Sequence, residues 1–424
     1  VPNSEDIRPG DIRYDCRHYT GYKPCGRGEL CAECERFEPR GFRILIIKLG
    51  AMGDVVRTLC LLPALRARYS PCHITWITAP ESLEILRHAP GIDRRLAMRI
   101  EDILALELEQ FDLLMNFDKD AEALALAART RAADKRGFAP HPQFGTLSIY
   151  NEASLYALRL GLSDELKFRK NTKTVPEIVF EMAELPYRGE EYALEADPRA
   201  RARAAERFAA WEQAAAAQEL DGAQESTQAL RGNGASSAAL RVVAINTGCG
   251  DRFPTKQWTV DGFCALIQGL LQKSPAATAG AAGAASAQDA RPIACMIVGG
   301  PREREFNAEI LRRVGHPRLW DAGCGNSIAD FLALLERCDC VVSSDSLGMH
   351  FAIALRRPVV ALFGPTAHRE VGLFGRGEII ATDLECAPCY LARCPKSPSG
   401  SPACMEALAP ERVMEAVRHA IQRT

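Results

Sequence analysis

The chain has 424 residues, 47% of them hydrophobic and 25% charged, with a formal net charge of −2. Such a length exceeds what a single hydrophobic core serves, so two domains are expected, and the near-neutral balance excludes a general nucleic-acid binder, which carries a strongly basic field. The most apolar region, Met349 to Gly364, is broken by Arg356, Arg357 and Pro358, so no run reaches membrane-spanning length; with no secretory pattern at the amino end, a cytoplasmic protein is expected.

Residues 1–42 are rich in Cys, Gly and charge, show little periodicity and close on Pro39-Arg40-Gly41, which reads as a small appended module. It holds four of the sixteen cysteines in the pattern Cys16-x8-Cys25-x5-Cys31-x2-Cys34, with His18 as a spare ligand. Irregular chain of this length forms no core of its own, so structural Zn, Fe or an Fe–S cluster is the expected staple, and spacing does not separate them. From Arg43 the pattern changes to strand-like apolar runs alternating with helical ones: Ile44 to Ile47, His73 to Thr78, Asp112 to Phe117, then a helix over Ala121 to Arg131. Such alternation predicts an α/β domain over residues 43–208 with a parallel sheet covered by helices.

The first strand runs into Leu49-Gly50-Ala51-Met52-Gly53-Asp54 and then the helical pattern Val55, Val56, Leu59, Leu62, Leu65. Ligands of open α/β sheets bind at such strand ends. The G-x-x-G-D spacing lacks the third glycine of the dinucleotide fingerprint, and no G-x-x-x-x-G-K-[ST] loop occurs, which disfavours nicotinamide and P-loop chemistry. Asp54 faces the expected cleft or caps the helix after it.

Residues 209–240 and Ser274 to Asp289 are low-complexity tracts that cannot bury enough apolar surface to offset their ordering entropy. A flexible linker and a loop are expected there. A second alternating block, residues 241–424, predicts strands Val242 to Asn246, Ile293 to Val298, Cys340 to Val342 and Val359 to Phe363. Its helices are expected at Val260 to Gln272, Arg302 to Val314, Ser327 to Arg337, Leu347 to Leu355 and Pro410 to Ile421, the last opening on a proline. The segment Ser343-Ser344-Asp345-Ser346-Leu347-Gly348-Met349-His350 is a strand, polar turn and helix start, whose free N–H groups suit a phosphate; an ordinary N-cap is the plainer reading. In a Pro-rich loop, Cys386-x2-Cys389-x4-Cys394-x9-Cys404 has the makings of a tetrahedral thiolate site for Zn or Fe, or is a set of reduced thiols.

Four stretches taken in order, Ile44 to Tyr69, Val243 to Phe263, Met296 to Glu305 and Val341 to Pro365, resemble the motifs of the ADP-heptose:lipopolysaccharide heptosyltransferase family, glycosyltransferase family 9. The resemblance runs from about residue 43 to 420 and implies a GT-B fold, two Rossmann-like domains facing across a cleft. It implies an inverting transfer of heptose from an ADP-sugar to a hydroxyl of a lipopolysaccharide core, on a cytoplasmic protein with peripheral contact at the inner membrane. Asp54 would be the base and Lys256 would reach the diphosphate; a lysine is a compact, mobile charge suited to that anion. Thr247, Gly248, Asp345, Ser346, Leu347, Gly348, Met349 and His350 would complete the nucleotide-sugar pocket, with Glu303 or Glu305 on the ribose. His350 has a packing role as its alternative. No D-x-D pair appears in these motifs, which fits a transfer needing no cofactor. The basic run Arg129, Arg131, Lys135, Arg136, together with Arg57, would draw an acidic acceptor, or is a solvated helix end. The Cys386 to Cys404 cluster resembles the iron-bound finger of the branch that glycosylates autotransporter proteins, which makes a protein hydroxyl the alternative acceptor. A non-catalytic metal-containing interaction protein and a sugar-nucleotide epimerase are the remaining readings.

Overall fold

The computed structural model describes residues 7–22, 25, 31, 34–224, 240–272, 291–397 and 400–423. The first sheet comprises β1 (Phe42–Ile47), β2 (Cys72–Thr78), β3 (Arg94–Ala97), β4 (Gln110–Asn116), β5 (Arg131–Pro140) and β6 (Leu147–Ile149) in the order β3-β2-β1-β4-β5-β6. All neighbours are parallel except β5 and β6. The second sheet comprises β7 (Arg241–Asn246), β8 (Ile293–Val298), β9 (Leu319–Asp321), β10 (Cys340–Ser344), β11 (Val359–Phe363) and β12 (Gly377–Ala381) in the order β12-β11-β10-β7-β8-β9, wholly parallel. Ile44 to Ile47, and every residue of β7, β8, β10 and β11, are buried, as the continuous apolar runs require of strands covered on both faces.

Each sheet reverses its strand order once, between β1 and β4 in one and between β7 and β10 in the other. The chain after β1 and after β10 turns directly into a helix, Met52–Thr58 and Leu347–Ala354, and these two helices pack on each other. A single apolar cluster follows from that contact, running from Val56 and Leu59 through Tyr192 to Phe351 and Ala352. The carboxyl ends of the two sheets thereby share one cleft.

The amino-terminal module sits at the other end of the first sheet. Asp93, just ahead of β3, accepts from Arg17 Nη1 at 3.0 Å, Arg66 Nη2 at 2.5 Å and the Ile74 amide at 2.8 Å. Cys16 bridges Pro39, and His18 Nε2 lies 3.0 Å from Glu38 Oε1. Strands of this length hold the module about 20 Å from the cleft.

Two expectations change. The tract from residue 209 continues a helix, Pro198–Gln224, rather than a linker, while 225–239 and 273–290 lie outside the described residues. Alanine is the strongest helix former, and Ala200, Ala204, Phe208, Trp211 and Ala215 make one buried stripe at helical spacing. That stripe packs against the second half: Trp211 stacks on Trp320 at 5.2 Å, and Arg201 pairs with Glu336. The basic run from Arg131 is strand β5, not a helix end, because β4 pairs with it from Gln110–Arg131 to Asn116–Gly137. Among the described residues no helix is long and apolar enough to cross a membrane.

If this stripe anchors the helix, Trp211→Ala is expected to destabilise the protein by about 3–5 kcal/mol. A chemical-denaturation midpoint equal to that of the wild type would show that the helix does not contribute to the fold in this way.

Candidate active site

Backbone geometry after β1 is set from β4. Just past that strand, the buried Asp118 accepts from the Leu49 amide at 2.5 Å and the Gly50 amide at 3.1 Å, and from Lys48 Nζ at 3.2 Å. Lys48 Nζ also donates to the Gly50 carbonyl. These bonds satisfy the amides of a tight turn and aim the helix that carries Asp54.

Asp54 occupies the first turn of Met52–Thr58, where a carboxylate is favoured by the helix dipole. Its side chain lies among many protein atoms and still keeps 39% of its surface open, as on a cleft wall. Burial alone would raise this carboxyl, but the Arg57 guanidinium that donates to it, with Lys48 and His350 adding, brings it down to about 2. Burial opposes the charge on Arg57, yet Asp54 and Asp345 hold its proton more firmly than usual.

The second half supplies His350, which is buried. Its Nδ1 is 3.3 Å from the Tyr192 hydroxyl and its Nε2 is 3.9 Å from Asp345 Oδ1. Burial, then the Arg57 cation, push the imidazole down to about 3 against the pull of Asp345 and Asp54, so the ring is neutral at physiological pH. A Cβ on Gly53 would meet His350 Cδ2 at 2.9 Å, which leaves no room for a side chain between the two helices. Asp345 in turn stands 3.7 Å from Lys256 Nζ. Burial works against the Asp345 carboxylate, but Lys256, His350 and Arg57 lower it below the usual range.

Beside these groups the turn after β10 is drawn tight. Ser346 caps the helix, its Oγ accepting from the Met349 amide at 3.4 Å and from Asn246 Nδ2 at 3.0 Å. A Cβ on Gly348 would stand 2.7 Å from Asn246 Nδ2, so only glycine lets β7 and this turn approach. Met349 is fully buried in the core, leaving the backbone of Leu347 and Gly348 as what the turn offers a ligand. Thr247 Oγ1 is committed to Asn307 Oδ1 at 2.6 Å and the Val298 carbonyl at 3.1 Å. Glu303 accepts from the Gly300 amide at 2.8 Å and lies 3.3 Å from where a Cβ of Gly248 would be. Glu305, by contrast, is exposed on the following helix.

Asp54, Arg57, Lys256, Asp345 and His350 therefore meet in one cluster, with Thr247, Gly248 and Glu303 at the neighbouring strand ends. Arg136 is not brought to it. This side chain is spent on the Ala183 carbonyl at 2.6 Å, Asp134 at 2.8 Å and Glu184 at 3.5 Å within the first half. Besides Arg57, Lys48 and Lys256, the cleft charges face Lys119 and Lys167: Lys119 is lowered by burial and then by Lys167 and Lys48. Opposite them burial raises Glu370, against the pull of Arg57 and Lys167. Sequence reading missed Lys119, Lys167, Glu370, Tyr192, Asn246 and Asp118; of these only the Asn246 and Asp118 positions, polar residues closing apolar strands, carried a signal.

All sixteen cysteines are free thiols. Cys386, Cys389, Cys394 and Cys404 line one small cavity with Thr255 and Pro365. Burial first, then the neighbouring Cys389, Cys394 and Cys386, push the Cys404 thiol up to about 11. The donor set suits Zn or Fe, although no three His, Cys, Asp or Glu side chains among the described residues stand in a metal-holding arrangement.

Two doubly wound sheets whose carboxyl ends share a cleft, with a carboxylate from one half and a cation and helix N-terminus from the other, define a GT-B fold. A solved glycosyl transferase family 9 structure from Veillonella parvula superposes with a TM-score of 0.63 at 16% identity, covering 92% of this chain and 99% of that one. ADP-heptose LPS heptosyltransferase II of E. coli superposes with a TM-score of 0.59 at 16% identity, covering 90% and 99%. Lipopolysaccharide heptosyltransferase 1 of Pseudomonas aeruginosa is 34% identical over 119 residues, which span 25% of this chain and 30% of that protein, well under two thirds of its length. The profile of glycosyltransferase family 9 (heptosyltransferase) matches residues 179–399, just over half of the chain. The chain belongs to that family.

A buried imidazole held at about 3 must take up a proton on unfolding between about pH 3 and its free value of 6.5. The unfolded state binds more protons in that interval, so stability falls as pH drops from about 6.5 towards 3. His350→Gln is expected to flatten this part of the stability profile, measured by urea unfolding at stepped pH. A variant profile parallel to the wild type would place the acid sensitivity elsewhere.

Proposed function

We propose that the protein is an inverting glycosyltransferase that moves a heptose from an ADP-sugar to a hydroxyl of a lipopolysaccharide core acceptor. The observation that carries this reading is the continuous chain of groups across the cleft, from Asp54 and Arg57 through His350 to Asp345 and Lys256. The ADP-heptose named for the E. coli relative supports the choice of donor.

Asp54 accepts the acceptor proton. A carboxylate at about 2 is ionised at any working pH but is a weak base. It serves here because the hydroxyl becomes acidic as its oxygen bonds the anomeric carbon, so the proton leaves late. Inversion follows from direct displacement by that oxygen on the face opposite the departing diphosphate. Lys256 and the backbone amides at the start of Leu347–Ala354 take the negative charge that develops on the leaving group. Glu303, placed against Gly248, is positioned for the ribose hydroxyls, and Thr247 shapes that wall through its side-chain bonds. Arg57 holds Asp54 ionised and oriented, and with Lys119 and Lys167 gives the acceptor side a positive field. No cofactor takes part in this transfer. Zn or Fe at Cys386, Cys389, Cys394 and Cys404 would brace the loop. A protein working on the cytoplasmic face of the inner membrane fits such an acceptor. The convergence of those four thiols favours a second reading in which the acceptor is a protein hydroxyl.

Release of ADP from ADP-heptose, measured with lipid-core and with protein acceptors, tests both readings. Asp54→Ala is expected to lower turnover by about 10²–10⁴-fold while ADP binding by calorimetry stays near wild type, and Lys256→Ala to weaken ADP binding and turnover together. Unchanged turnover in Asp54→Ala would refute the assignment of the base.

A further inference from the structure

The loop bearing Cys386, Cys389 and Cys394 does not hang free of the cleft. Its residue Tyr390 adopts a left-handed backbone, φ 52°, unfavourable for a bulky side chain. The amides of Cys389 and Tyr390 both donate to the Pro365 carbonyl at 2.9 Å, just past β11, which holds the residue in that conformation. The Tyr390 hydroxyl accepts from the Ala367 amide at 3.1 Å and donates to Glu370 Oε2 at 3.4 Å. Its ring stacks on Phe168 of the first half at 5.1 Å and 19°, has Lys167 Nζ 4.8 Å from its centroid, and meets Phe253 edge-on at 5.6 Å. The next residue, Leu391, accepts from Thr255 Oγ1 at 2.7 Å. Phe253 and Thr255 belong to the short turn that presents Lys256. Across the gap, Arg169 donates to the carbonyls of Ala387 at 3.0 Å and Glu385 at 2.7 Å.

One side chain thus touches the first half, the Lys256 turn and the segment carrying Glu370. We propose that Tyr390 is a positioning residue: it ties the four-cysteine loop to the Lys256 turn and clamps the segment Glu165–Lys170 of the first half across the cleft, so that this loop sets where Lys256 stands and how far the cleft opens. The role assigned to Lys256 rests on the function proposed above; the mechanical coupling does not.

Hydrogen exchange on the intact protein, with and without ADP and with no sugar or acceptor, reads that coupling directly. Tyr390→Ala is expected to speed exchange in both residues 165–170 and 254–257 while the strands keep wild-type protection, and to weaken ADP binding about three- to tenfold, the scale of one aromatic stack. Tyr390→Phe, which keeps the ring, is expected to restore protection at 165–170. Phe168→Ala cuts the stack from the opposite side and is expected to loosen 254–257 through Tyr390; it also reads the coupling if Tyr390→Ala does not fold. Exchange confined to residues 385–394 in Tyr390→Ala, or wild-type exchange at 254–257 in Phe168→Ala, would overturn the proposal. Coupling without any ADP release from ADP-heptose by the wild type would sink the enzymatic reading and leave the clamp standing.

Discussion

A Cβ on Gly53 would stand 2.9 Å from His350 Cδ2, and this near-contact governs how the halves of the molecule meet. Each sheet delivers the amino end of a helix to the cleft, and the two ends can come together only where one side offers no side chain and the other a ring that is uncharged. A protonated imidazole there would be a buried charge beside the Arg57 cation, which costs far more than an exposed one. The apolar cluster running through the contact makes the approach favourable.

Around that contact the charges alternate. Lys48, Asp54, Arg57, Asp345 and Lys256 form a sequence in which each ion has an opposite neighbour, and both acidic members stay ionised despite burial that acts the other way. An unpaired member would instead change its protonation state. The arrangement keeps the Asp54 carboxylate and the Lys256 ammonium in one cleft without pairing them to each other: Arg57 engages Asp54, and Asp345 engages Lys256.

Where burial on both faces demanded it, the strands were legible in sequence: Ile44 to Ile47, Val242 to Asn246, Ile293 to Val298 and Val359 to Phe363 are continuous apolar runs, found within a residue or two of their positions. The glycine-bearing turns were legible too, since Gly53 and Gly348 answer to close approaches that no other residue tolerates. What escaped was decided by partners distant in the chain. Arg131 to Arg136 has no alternating pattern and becomes a strand only because β4 offers it an edge, and that same pairing carries Arg136 to Ala183 rather than to the cleft. Ala- and Gln-rich sequence after residue 209 reads as linker until Trp320 is there to receive Trp211. Glu303 and Glu305 are equivalent by spacing; the turn of the chain at Gly300 separates them.

Among the described residues, the amino-terminal module is fastened to the rear of the first sheet by ion pairs, Arg17 to Asp93 and Arg40 to Glu109, with Asp93 held in turn by Arg66 and the Ile74 amide. An attachment of that kind transmits little: chemistry at Cys16, Cys25, Cys31 or Cys34 has the whole depth of a rigid sheet between it and Asp54, whereas Cys389 is next in sequence to the tyrosine that spans the gap. By the proposed coupling, the thiols of the Cys386 to Cys404 loop are linked to the cleft and those of the amino-terminal module are remote from it. On the proposed clamp, an oxidant acting on both sets of thiols would reach the cleft through the Cys386 to Cys404 loop.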